Sequence, residues 1–268
     1  MTVREVLARS AQYLAEKGVP SPRVDAEWLL AHALGLSRLE LYTEHDRPLA
    51  EEELASAREL LRRRGLREPL AYVLGEWGFR RLTLKTDARA LVPRPETEIV
   101  VERCLALLDG RDAPRVLDVG VGTGAIALAV ADEYPAARVT AVDSSPDALA
   151  LAGENAELTG LGVELRAGGF EVAAEGWDLV VSNPPYVLPE EIDSRDPEVR
   201  DWEPRAALVG EDLHMELARV ARTQWLVLEV GDGQAPSVAQ ALEGLGYADV
   251  TITPDLAGRE RVVEGRRP

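Results

Sequence analysis

From Arg115 onward, short β-branched runs alternate with helical stretches, and that rhythm restricts the architecture more than any other property of the chain. Val116-Leu117-Asp118-Val119 reads as a buried strand, followed by a helix over 124–134. Val139-Thr140-Ala141-Val142 reads as a second strand, with a helix over 146–158, and further strands fall at 163–166 and 177–182. Helices near 211–222 and 235–244 bracket the strand Trp225–Val230. Two closing strands, near 248–253 and 259–264, have no helix between them. Runs of four to six apolar residues bounded by turn residues are strands buried on both faces. Strands alternating with helices predict a doubly wound, mostly parallel α/β sheet, and the closing pair adds an antiparallel strand at one edge.

The preceding residues have a different texture. Residues 1–75 predict a small bundle of short helices with clear start and stop signals. Thr2 with Glu5 forms a capping-box pattern, Ser21-Pro22 opens a second helix that Gly35 ends, and Ser37 with Glu40 repeats the box. Residues 76–93 contain a predicted β-hairpin linker, and Pro93-Arg94-Pro95-Glu96-Thr97-Glu98 opens the next helix, so 94–268 forms the larger domain.

Charge divides along the same line. Residues 1–75 carry 11 basic and 12 acidic side chains, whereas 76–268 carry 19 against 35, within a total of −17. The acidic larger part repels a phosphate backbone at long range, which weighs against nucleic acid as partner and favours basic partners. The longest apolar run, Ala125 to Ala131, is too short to span a bilayer, so no membrane association is expected. The single cysteine, Cys104, excludes an internal disulfide and fits a cytoplasmic location; its helical apolar setting predicts inert packing. His32, His45 and His214 are scattered without ligand spacing, so no metal site is expected. Arg62-Arg63-Arg64 reads as the solvated end of a helix.

Two stretches carry chemistry. Asp118-Val119-Gly120-Val121-Gly122-Thr123-Gly124 lies where the first strand of the alternating region turns into its helix, and its glycines permit a tight turn and close approach of a ligand. Asp143 follows at the end of the next strand, where a carboxylate accepts hydrogen bonds from ribose hydroxyls. Together they fit a nucleoside-containing cofactor without choosing between a nicotinamide and a methyl donor. The strand ending at Ser182 stops at Asn183-Pro184-Pro185-Tyr186. The prolines fix φ, remove two donors and hold Asn183 extended, leaving a stiff turn. Such a turn can present the Asn183 carboxamide and the Pro184 carbonyl to both hydrogens of a planar –NH2 group, with Tyr186 as a flat wall. A Pro-rich loop with no further role fits that stretch equally well.

With these motifs in one chain, the sequence resembles the S-adenosylmethionine-dependent methyltransferases that carry an Asn/Asp-Pro-Pro-aromatic turn. Within them it is similar to the bacterial peptide chain release factor glutamine N5-methyltransferases. The resemblance covers nearly the whole chain and includes Pro69-Leu70-Ala71-Tyr72, Leu91 to Glu98, Val142 to Ser145, Glu203 to Leu208, and Glu229-Val230-Gly231 with Gln234. The chain departs at Leu213, which lacks the usual preceding glycine, and at Gly168-Gly169, where an acidic-aromatic pair is common and only Phe170 remains.

The resemblance implies S-adenosylmethionine as cofactor, S-adenosylhomocysteine as product and a release factor as protein substrate, docked by the helical domain. It implies cofactor binding by Gly120, Val121, Gly122, Thr123, Gly124, Asp143, Gly169, Phe170 and Asn183. It implies a substrate-binding turn of Asn183, Pro184, Pro185 and Tyr186, with Asn183, Pro184 and Tyr186 catalytic. Two alternatives stand beside it: an amino-methyltransferase acting on adenine or guanine in nucleic acid, and a nicotinamide-dependent oxidoreductase.

Overall fold

The computed structural model describes residues 1–267, which divide into two compact units. The first comprises Met1–Gly75 together with Asp196–Trp202; the second comprises Glu76–Arg195 and the chain from Glu203 onward.

The first unit contains α1 (Val3–Glu16), α2 (Pro22–Leu34), α3 (Glu40–Thr43), α4 (Glu51–Gly65) and α5 (Leu70–Leu74). Its start signals act as their chemistry dictates. The Thr2 hydroxyl accepts from Glu5 N while Glu5 Oε2 accepts from Thr2 N, and Ser37 and Glu40 make the same exchange. Val3, Leu14, Leu29, Leu30 and Leu41 are buried in one core. The short helix lying in 196–202 groups with this unit, although nothing in the local sequence separates it from its neighbours.

Its place follows from charge. Arg64 is buried, with Nε 2.7 Å from Asp25 Oδ2 and Nη1 2.7 Å from Glu198 Oε1. Arg67 adds a two-pronged contact to the same Glu198 carboxylate at 2.7 and 2.6 Å. The basic run is therefore not the solvated helix end that its composition predicts. Arg62 is exposed and pairs with Glu59, Arg63 pairs with Glu68, and Arg64 is enclosed between carboxylates on α2 and on the 196–202 segment.

The second unit opens with the hairpin β1 (Glu76–Phe79) and β2 (Leu82–Lys85), packed into its core through Phe79 and Leu84. A seven-stranded sheet follows: β3 (Arg115–Val119), β4 (Arg138–Asp143), β5 (Glu164–Ala167), β6 (Trp177–Ser182), β7 (Thr223–Glu229), β8 (Ala248–Pro254) and β9 (Glu260–Arg266). The order across it is β5-β4-β3-β6-β7-β9-β8. The first five of these run parallel, and β9 lies antiparallel to both of its neighbours. The antiparallel strand thus stands second from the edge, because β8 and β9 form a hairpin that inserts its second arm against β7.

Alternate residues feed the two faces. Val116, Leu179, Val181 and Val227 join one core with α6 (Glu98–Leu108) and α7 (Ala125–Glu133). Leu117, Val119, Val180, Leu226 and Leu228 join the other, and later helices cover that side. The remaining helices of this unit are α8 (Pro146–Thr159), α10 (Arg205–Leu208), α11 (Leu213–Val220) and α12 (Ala235–Gly244), while α9 (Pro197–Trp202) is the short helix that groups with the first unit. Leu217 of α11 and Leu242 of α12 are fully buried in the second core. Cys104 on α6 is enclosed in the first core, and burial pushes its thiol up, which leaves it inert. Among the described residues, no helix is long and apolar enough to cross a membrane.

Candidate active site

Strand order reverses between β3 and β6, and ligands of open α/β sheets bind beyond the carboxyl ends of the strands at such a point. The loop after β3 turns there with Gly120 at φ +84°, Gly122 at +54° and Gly124 at +87°. It is pinned rather than free: Gly120 N and Val121 N both donate to Val142 O, at 2.9 and 3.0 Å. Gly122 N donates to Asp143 Oδ2 at 3.1 Å, and Asp143 Oδ1 accepts from Ser145 N at 2.9 Å. Each carboxylate oxygen keeps a second lone pair for a hydroxyl. On the β6 side, the Ser182 hydroxyl donates to Val119 O at 2.6 Å, locking the two strands that bound the crevice.

A recess of about 310 Å³ opens above this frame. Gly120, Val121, Gly122, Thr123, Asp143, Gly169, Phe170, Asn183 and Pro185 all contribute to its wall. Gly124 does not; it caps α7, where an added Cβ would come within 3.0 Å of the Leu128 side chain. Pro184 is buried and also lies off that wall, and Tyr186 lines a second recess with Glu229, Gln234, Arg94 and Arg261.

The Asn183 turn is braced from behind by two glycines. A Cβ on Gly210 would lie 2.4 Å from Pro185 O, and one on Gly231 would lie 2.9 Å from Tyr186 Cδ2. Gln234 ties the same region together: its Oε1 accepts from Gly231 N at 2.9 Å and its Nε2 donates to Tyr186 O at 3.2 Å. Tyr186 stacks on the ring of His214, with centroids 6.4 Å apart. Burial and the nearby Glu229 push the phenol up to about 12, so it stays protonated. Burial lowers His214, whose Nε2 meets Glu229 O at 2.8 Å.

The two departures in sequence have visible consequences. Asp212, just before α11, adopts φ +58°, so the conformation that suits a glycine is held by a side chain that tolerates it. At Gly169, the backbone N–H donates to Glu171 Oε1 at 2.8 Å, which leaves the ring of Phe170 as the aromatic wall of the recess.

Sequence reading alone does not find the buried acids. Asp118 Oδ2 accepts from Ala127 N at 3.1 Å while its Oδ1 has no partner, and burial, aided by Asp143, pushes its carboxyl up to about 8. Glu229 is buried with Oε2 unpartnered, and burial pushes it up to about 7. Arg94 meets buried Glu203 at 2.5 Å. Among the described residues, no group of side chains is arranged to hold a metal ion.

A glycine loop with open space at Gly120, a carboxylate at the end of the next strand, an aromatic wall and an amide turn facing one crevice together suit a nucleoside-bearing methyl donor. Fold and site define a Rossmann-like methyltransferase. A model described as the methyltransferase small domain matches residues 97–195, and one described as the PrmC N-terminal domain matches residues 5–75. The release factor glutamine methyltransferase of Geobacter sulfurreducens is 44% identical, over 99% of this chain and 96% of its own. That of Deinococcus radiodurans is 43% identical, over 100% and 99%. A solved methyltransferase from Pyrococcus furiosus shares the fold at 17% identity and a TM-score of 0.51, over 69% of this chain and 88% of its own.

The chain belongs to the release factor glutamine methyltransferase family. S-adenosylmethionine is its cofactor, which closes the nicotinamide alternative.

Proposed function

We propose that the protein methylates the side-chain amide nitrogen, N5, of the glutamine in the Gly-Gly-Gln loop of peptide chain release factors. The observation that carries this reading is the convergence of Asn183, the glycine loop and Asp143 on one recess at the switch point of the sheet.

An amide nitrogen is a poor nucleophile because its lone pair is delocalised into the carbonyl. The Asn183 side-chain oxygen and the Pro184 carbonyl accept its two hydrogens, orient the nitrogen and stabilise positive charge as it develops there. Tyr186 packs on the amide plane. With the cofactor bound, the Asp143 carboxylate would hold the ribose hydroxyls, the backbone of Gly120–Thr123 would take the donor's chain, and Phe170 beside Gly169 would offer an aromatic surface to the adenine. When bound, S-adenosylmethionine supplies an electrophilic methyl on a sulfonium and leaves as the neutral thioether S-adenosylhomocysteine. The N–H proton departs late, once the nitrogen has become acidic. The helical unit docks the protein substrate, and the acidic second unit suits a loop with basic neighbours. A substrate that works on the ribosome and a lone buried thiol both favour the cytoplasm.

The test is transfer of a labelled methyl to a recombinant release factor. Incorporation is expected into the native factor and is expected to vanish when its loop glutamine is changed to alanine. Labelling that persists in that variant, or that appears instead on RNA or DNA, would overturn the reading.

A further inference from the structure

The edge of the sheet opposite the crevice carries charges that methyl transfer does not use. β3, β6 and β7 run parallel and start at that edge, and β9, antiparallel to β7, finishes there. Arg115 opens β3, Arg222 precedes β7 and Arg267 follows β9. All three line an open recess of about 480 Å³, together with Asp178, Thr223 and Gln224.

Two of these side chains are oriented by groups that leave their charge intact. Arg115 Nη1 donates to Gly176 O at 2.8 Å, and its guanidinium lies 4.5 Å from the centre of the Trp177 ring. Arg267 Nη1 donates to Ala221 O, and its guanidinium lies 5.4 Å from the centre of the Tyr247 ring. A carbonyl and a ring face fix a guanidinium without neutralising it, and they leave other N–H groups of the fork unused. Among the described residues, no carboxylate forms an ion pair with Arg115, Arg222 or Arg267. Glu175, next to Gly176, takes both prongs of Arg166 at 2.9 and 2.6 Å, and Asp249 takes Arg266 at 2.7 Å. Asp178 is the acid on the recess wall, where its Oδ2 accepts from Arg115 N at 2.7 Å. Arg138, in register beside Arg115 on β4, and Arg111, which donates to Gln224 Oε1 at 2.6 Å, add to the same positive edge. All this lies in a part of the chain with 19 basic against 35 acidic side chains.

We propose that this recess binds one phosphate dianion, either free or as the monoester end of a small molecule. Three guanidiniums against one carboxylate leave two positive charges on its wall. A phosphate monoester, doubly negative above a second pKa of about 6, matches that balance, and a singly charged carboxylate does not. Guanidinium forks also fit the spacing of phosphate oxygens. Like charges gathered around one recess repel, and a bound dianion replaces that repulsion with attraction. The acidic surroundings oppose a long polyanion at range, which favours one compact anion over a nucleic acid chain. The site lies at the amino-terminal ends of the parallel strands, apart from the methyl-transfer crevice, and does not depend on the reading of that crevice.

The experiment is an NMR titration of the full chain at about pH 7.5, where the probes are largely dianionic, at constant ionic strength. Saturating S-adenosylhomocysteine fills the cofactor recess, and the probes are inorganic phosphate and ribose 5-phosphate, with chloride as the reference anion. Shifts are expected at the Trp177 indole N–H and the side-chain N–H signals of Arg115 and Arg222, with a dissociation constant of about 1 mM or tighter. Arg222→Gln alters an exposed side chain and should weaken binding about fivefold or more. Asp178→Asn keeps an acceptor for Arg115 N–H, removes the opposing charge, and should tighten binding about threefold. Arg259→Gln removes one charge at the other end of β9 and should change affinity by less than about twofold, being screened at that distance. Tighter binding of the sugar phosphate marks an ester as the occupant; equal or weaker binding marks free phosphate.

Shifts no larger than those with chloride would overturn the site, as would shifts centred instead on Arg94, Arg259 and Arg261 beside Tyr186. Affinity unchanged in Arg222→Gln would overturn it too. Equal weakening in Arg222→Gln and Arg259→Gln would reduce the effect to general charge and likewise end the proposal. Should Arg222→Gln not fold, Asp178→Asn decides: tighter binding supports the site, and unchanged or weaker binding overturns it.

Discussion

Asp118, near the end of β3 and just before the glycine loop, illustrates how a single residue can govern stability. It sits wholly buried with one oxygen unpartnered, and its carboxyl is pushed up to about 8, mainly by burial. A carboxyl held above its unfolded value near 3.9 favours the folded state while protonated. That contribution is complete below about pH 4 and is lost progressively as pH rises through about 8. Glu229, pushed up to about 7, acts in the same direction. At the acidic end, Glu27, which burial would raise but three hydrogen bonds hold at about 2, has its full contribution above about pH 4.5 and loses it progressively as pH falls through about 2. The melting temperature should therefore decline from pH 5.5 to 8.5. In Asp118→Asn, which keeps an acceptor for Ala127 N–H and carries no charge, the decline should be shallower. A scanning-calorimetry series in which both proteins lose stability equally over that interval would count against the buried-acid account.

Among the elements, α4 shows where local sequence stops being informative. Arg62, Arg63 and Arg64 have the same composition and the same dipole environment, yet one is solvated, one is clamped by Glu68 and one is buried between Asp25 and Glu198. The partner carboxylate of Arg64 lies 134 positions further on, so no window around α4 reveals it. Burial alone would raise Glu198, but the Arg67 and Arg64 guanidiniums hold it below the usual carboxylate range. Removing one member of such a cluster strands the others in a poorly solvated place. Arg64→Ala should cost about 3–5 kcal/mol, read as a lowered urea midpoint for the first unit by the fluorescence of Trp28 or Trp202. A change under about 1 kcal/mol, the range of exposed pairs, would mean that the cluster is effectively solvated. The elements whose signals are local were legible: both capping boxes, the hairpin and every parallel strand form where composition places them. The position of β9 between β7 and β8 was not, because pairing order depends on contacts between distant segments.

For the whole molecule, the site follows from topology. A strand order that reverses between β3 and β6 brings together a loop at 120, an acid at 143 and a turn at 183. Each is a continuous motif, so each could be read from sequence once the doubly wound pattern fixed the ends at which they lie. Thr97, Gly210, Gly231 and Glu229 lie around the same turn but come from three separate stretches, and only sheet register, hydrogen bonding and steric contact join them to it. Family membership and fold define the reaction class, and the proposed function assigns the selectivity for a planar amide to one carboxamide, that of Asn183. Asn183→Ala tests that claim most directly, with single-turnover methyl transfer to a release factor and calorimetric cofactor affinity measured on the same preparation. The account predicts that transfer falls by at least about a hundredfold, as for loss of a transition-state hydrogen-bonding group, while cofactor affinity changes by less than about threefold. Transfer within a few-fold of wild type, with the cofactor bound equally well, would contradict it.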